Sequence, residues 1–107
     1  MIDEILKERG NNYGDFHTQA NLSQTLKSII TQHYISIHNE AMPNFMAEAL
    51  AMISHKIARI ANGNPLYKDS WVDIIGYTQL VVDILEKAEK QAEEQLKPAA
   101  NDTIEGE

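Results

Sequence analysis

Between positions 44 and 62 the apolar residues Met46, Leu50, Ile53, Ile57 and Ile60 recur at intervals of four and three. That spacing draws one stripe down an α-helix and is incompatible with a strand, where apolar residues alternate. Met42-Pro43-Asn44 opens the segment, because proline suits the start of a helix. Asn62-Gly63-Asn64-Pro65 closes it as a turn: Gly63 is expected to take the left-handed cap conformation, and Pro65 cannot continue the hydrogen-bond ladder.

The same punctuation organises the rest of the chain. Gly and Pro fall at 10, 14, 43, 63, 65, 76, 98 and 106, and helical periodicity fills most of the intervals. A short first helix is predicted over Ile2 to Arg9, closed by Gly10, with consecutive turns in Asn11-Asn12-Tyr13-Gly14-Asp15-Phe16. From about His17 to His38 the residues Leu22, Leu26, Ile29, Ile30 and Ile37 share one face, with His33 on the same stripe. A fourth helix is predicted from Asp69 or Ser70 to about Leu96. Its apolar residues, from Trp71 to Leu85, spread over more than one stripe and so require neighbours on two sides. The expected fold is an all-α, four-helix bundle-like domain over residues 1–97, with a long C-terminal helix and a second copy as homo-oligomer partner. Pro98 is expected to end that helix, leaving 98–107 as a flexible acidic tail.

Composition narrows the function. A chain of 107 residues with 43% hydrophobic content makes one domain. With no cysteine there is no disulfide framework, thiolate metal site or thiol nucleophile. The net charge of −7 argues against nucleic acid as a partner, since phosphate contacts need clustered cations. The acidity lies at the ends, while residues 16–82 carry four acids and four bases. MIDEILKERG lacks the form of a signal peptide and no apolar run reaches membrane-spanning length, so the expectation is a soluble cytoplasmic protein with no membrane partner.

The chemistry-bearing residues flank the turn at Gly63. Lys56 and Arg59 are neighbours on one helix face; Asp69, Asp73 and Tyr77 are neighbours on the next. Counting outward from the turn places Arg59 level with Asp73 and Lys56 level with Tyr77. A structural role is available for all of them: Ser70-x-x-Asp73 fits a capping box, and Arg59 fits an interhelical ion pair. In the functional reading, Asp69 and Asp73 supply hard oxygen ligands for Mg²⁺, Lys56 and Arg59 contact phosphates, and Tyr13 or Tyr77 stacks on a base.

The stretches ERGNNYGDF (8–16), HKIARI (55–60) and DSWVDIIGY (69–77) together resemble a family of small phage and prophage proteins of uncharacterised function, with the pattern R-G-x-x-Y-G-D-F, K-x-x-R and D-x-x-x-D-x-x-G-Y. Arg9, Tyr13, Gly14, Asp15, Phe16, Lys56, Arg59, Asp69, Asp73, Gly76 and Tyr77 match it. The resemblance implies a phage origin, hence the cytoplasm of an infected bacterial host, and adds Arg9 to the candidate ligand-binding residues. More distantly, the last two motifs are similar to nucleotide-modification-associated phage domains and MazG-like nucleoside triphosphate pyrophosphohydrolases. Those enzymes bind Mg²⁺ through an E-x-x-E pair and an E-x-x-D pair on adjacent helices. Here the third helix offers only Glu48, with Ala51 and Met52 at the required spacings, so half of that acidic cage is missing.

The leading expectation is therefore a phage-encoded nucleotide-binding protein that sequesters a signalling or modified nucleotide against a host defence. The alternatives are a Mg²⁺-dependent pyrophosphohydrolase and an inhibitor of a host protein. His33 and His38 are five residues apart and off one helical face, His55 has no partner at metal-ligand spacing, and no nucleophile elbow or phosphate-binding glycine loop occurs.

Overall fold

The structure, a computed structural model, describes the backbone of residues 1–105 and the side chains of residues 1–96. Four helices follow one another, α1 (Ile2–Tyr13), α2 (Phe16–His38), α3 (Asn44–Asn62) and α4 (Lys68–Glu105), with no strand among the described residues. The all-α expectation holds, with the long helix at the C-terminal end. None of the helices is long and apolar enough to cross a membrane.

α1 does not stop at Gly10. It runs on to Tyr13 and is closed by Gly14, whose φ of 78° only glycine adopts readily. Gly10 is tolerated inside the helix because one interior glycine costs only about 1 kcal/mol. Asp15 then caps α2, its carboxylate accepting from the Thr18 backbone N–H and hydroxyl, each at 2.9 Å. Those two hydrogen bonds, the backbone one first, hold the Asp15 carboxyl below its usual value of 3.8.

α3 is the central element, with α2 against one flank and α4 against the other, and among the described residues α2 and α4 do not touch. The buried residues of α3 explain this. Ser54 and Ala58 lie one turn apart and Ser54 lines a small cavity with Lys27 and Ile30 of α2, whereas Ala49 and Lys56 lie two turns apart on nearly the opposite flank, where Lys56 meets Asp73 of α4. Small residues on both flanks bring the helices close. The result is a single layer of three helices, and among the described residues its only buried apolar side chains are Ala49 and Ala58.

The expected seam therefore sits elsewhere. Met46, Leu50, Ile53, Ile57 and Ile60 fall between the two packed flanks; none is buried, and Ile57 is exposed. α2 shows the same rotation: it packs on α3 through the buried Gln19 and Ser23, while Ile29, His33 and Ile37, expected in the core, are exposed. Trp71, Val72, Ile75, Leu80, Val82, Ile84 and Leu85 of α4 are exposed too. One chain offers α4 only α3, and offers α2 only α3 and, near its start, α1, so the second stripe of each helix has nothing to pack on.

α4 begins at Lys68, so Ser70 is a buried residue inside the helix and not the first member of a capping box. Its backbone passes Pro98, which forfeits one N–H bond without ending the helix. Residues 106 and 107, and with them the end of the tail expected at 98–107, lie outside the described residues. With 38 residues against 19 in α3, α4 overhangs the layer by roughly 28 Å.

Candidate functional site

The two turns that carry the motifs lock into each other. The Asn62 side-chain amide donates to the carbonyls of Tyr13 (3.0 Å) and Asp15 (2.9 Å), which flank Gly14, and the Asn64 N–H donates to the Asn12 carbonyl at 2.7 Å. A Cβ on Gly14 would collide with the Asn62 carbonyl, and one on Gly63 with the backbone of Asn12 and Tyr13. The left-handed conformation expected of Gly63 is not found: its φ is −122°. What requires glycine there is the approach of α1. Beyond it Asn64 Oδ1 accepts from the Leu66 N–H at 3.0 Å, and Trp71 Nε1 donates to the Pro65 carbonyl at 2.8 Å, which sets the start of α4.

This junction brings Arg59 to Tyr13. The guanidinium lies over the phenol ring, 4.0 Å from its centroid, a cation–π contact. Tyr67 meets the Tyr13 ring edge-on at 5.8 Å and donates its hydroxyl to Asp69 at 3.0 Å. That bond and the Asp69 charge raise the Tyr67 hydroxyl above its usual value of 10.0. Arg59 Nε is buried and has no hydrogen-bond partner.

Arg9, Tyr13 and Arg59 line one pocket of about 360 Å³ together with Leu6, Phe16 and Gln19. Asp15 also reaches its wall, but its carboxylate is engaged in capping α2. Neither arginine forms an ion pair among the described residues. Behind them the buried Gln19 amide lies 3.5 Å from His55 Nδ1. Burial, and then the charges of Arg59, Lys56 and Lys27, hold the His55 imidazole below its usual value of 6.5.

The remaining candidates stand apart. Lys56 is buried and paired with Asp73, Nζ to Oδ2 at 3.0 Å, so the register runs one turn differently from the count that paired Arg59 with Asp73. Asp73 and Tyr77 line a second, open groove with Val72, Gly76 and Leu80. Asp69 and Asp73 thus engage different neighbours, and among the described residues no group of three or more Asp, Glu or His side chains comes together to hold a metal ion. The four charges around Gly63 do not share one pocket: Arg59 joins Arg9, and Lys56 joins Asp73.

Gln19, Leu6 and Asn62 belong to this site without having been singled out in the sequence. Asn62 carried a signal only as part of an Asn-Gly-Asn turn, and nothing marked Gln19.

The family described as a domain of unknown function, DUF6378, matches residues 2–85. The chain belongs to the DUF6378 family. The match takes in both interlocked turns, the arginine pocket and the Lys56–Asp73 pair, and it ends at Leu85, where α4 leaves the layer. No curated protein matches the chain, and no solved structure does.

Proposed function

We propose that this DUF6378 protein binds a phosphorylated, nucleotide-derived small molecule in the pocket formed by Arg9, Tyr13 and Arg59. The observation that carries the reading is the pair of arginines in one concave site, neither neutralised by a carboxylate, with Arg59 held in place by the Tyr13 ring and its Nε left without a partner. Guanidinium forks match phosphate oxygens in geometry and charge. Leu6 and Phe16 give the same pocket an apolar wall suited to a base or ribose.

In this reading Lys56 holds Asp73 and the bundle, and does not touch the ligand. Tyr77 lies in the other groove, so base stacking falls to Phe16 or to the free side of Tyr13. With the resemblance to phage and prophage proteins, the role proposed is sequestration of a signalling or modified nucleotide against host defence. Asp69, bonded to Tyr67, and Asp73, paired with Lys56, offer Mg²⁺ no shared site beside this pocket, so the proposed binding does not require the ion.

The test is calorimetric titration of purified protein with nucleoside mono-, di- and triphosphates and cyclic dinucleotides, with and without Mg²⁺. Binding that falls at least tenfold in Arg59→Ala and in Arg9→Ala, and survives in Asp73→Asn without the ion, is the expected result. Equal affinity in both arginine variants removes the assignment.

A further inference from the structure

A folded chain of 12.1 kDa is expected to expose about 6,000 Å². This one exposes 8253 Å², an excess of about 2,200 Å². Part of the excess belongs to the α4 overhang. Another part lies on α4 within the layer, and a third on the side where the stripe of α3 and the stripe of α2 lie next to each other. Ile29, Ile30, His33, Tyr34 and Ile37 of α2 and Leu50 of α3 line one apolar groove of about 420 Å³ there. Ile53 and Ile57 continue the α3 stripe beside it, on the face that Leu50 begins.

The charge distribution says what can meet this side. In a chain with sixteen acids, residues 16–38 contain none, and the only acid of α3, Glu48, lies on the opposite face. Two molecules of net charge −7 repel each other except where such a surface faces its own copy. A layer of helices also needs a second layer to enclose a core.

We propose that a second copy of the chain covers this side, in a two-fold arrangement in which Ile29, Ile37, Leu50 and Ile57 of each copy meet those of the other. A stable dimer of ordinary size removes about 800 Å² from each partner, well within the excess of about 2,200 Å². The two copies then form the two layers, and the two α2–α3 stripes become the core that the single chain lacks. The arginine pocket, built on α1 and the far side of the α3 end, stays open.

Sedimentation velocity of the full chain over a wide concentration range tests this, paired with circular dichroism. The expected species has twice the 12.1 kDa mass of the chain. Ile29 and Ile37 are 60% and 63% exposed in the isolated chain, so glutamate at both sites has little packing to disturb there. The doubly substituted Ile29→Glu/Ile37→Glu chain is expected either to sediment as a monomer, with a dissociation constant raised at least 100-fold, or to lose helix altogether; both support a covered face. Leu66→Glu, at the exposed α3–α4 turn, is expected to leave the dimer intact. A wild-type chain of single mass at every concentration overturns the proposal, as does an unchanged dimer in the double variant.

Discussion

Lys56 Nζ and Asp73 Oδ2 lie 3.0 Å apart across the α3–α4 interface, yet the two side chains are unequally buried, with 11% and 45% of their surface exposed. Removing the better solvated partner strands a buried ammonium, whereas removing the lysine leaves a carboxylate that water can reach. Asp73→Ala should therefore cost about 1–3 kcal/mol, and Lys56→Met less than about 1 kcal/mol. Urea unfolding followed by fluorescence of the single tryptophan, Trp71, measures both; equal losses would show that the burial asymmetry has no energetic weight.

The contact between Asn62 and the Gly14 turn predicts a second pair of effects. Asn62→Ala loses two hydrogen bonds and leaves two carbonyls to find water, a cost of about 1–3 kcal/mol. Gly14→Ala meets both a positive φ and the Asn62 carbonyl, so it should cost at least as much, about 2 kcal/mol or more. Because both act at one junction, the double variant should be less damaged than the sum of the singles. Full additivity in a double-mutant cycle would count against a shared contact.

Acid should weaken the fold in two steps. His55 is held below 6.5 by burial, so the unfolded chain takes up its proton first. Its contribution is fully present above 6.5 and is lost as pH falls through the lower folded value. Asp15, held below 3.8 by its bonds to Thr18, contributes stability above that value and loses it at still lower pH. Unfolding midpoints measured from pH 8 to pH 3 should thus fall in an upper and a lower window. His55→Gln should flatten the upper one and leave the lower unchanged.

Ala58 is fully buried, one turn from Ser54 on the same flank of α3. Ala58→Leu adds three heavy atoms to a contact made by small side chains, and overpacking of this kind costs about 1–3 kcal/mol. Ala61→Leu, on an exposed position one turn nearer the helix end, should change stability by less than about 0.5 kcal/mol. Thermal melts of the two variants separate a close-packed interface from a general intolerance of leucine.

Helix content was legible because Pro43, Gly63 and the four-three spacing of Met46 to Ile60 are local signals, and α2 and α3 end at His38 and Asn62 as that spacing implies. What a stripe faces is not a local property. Ile29 and Ile37 read as core because apolar periodicity says that a face is to be buried, without saying whether the same chain supplies the cover. Pairings across the turn were misread for a related reason: counting outward from the turn assumes that both helices leave it level, and the actual offset of about one turn, which pairs Asp73 with Lys56, is set by how the turn folds. Of the site, Arg9, Tyr13 and Arg59 come together, and their convergence depends on the Asn62 amide, whose role only the folded geometry reveals.

α1 buries none of its own residues, yet Leu6, Arg9 and Tyr13 make one side of the arginine pocket. Such an element behaves as a door: it is hung at the Gly14 bend and bolted by the side chain of Asn62. How quickly a guest could leave would then depend on how often the bolt slides, so amide exchange in residues 2–13 would report on the lifetime of anything held behind it.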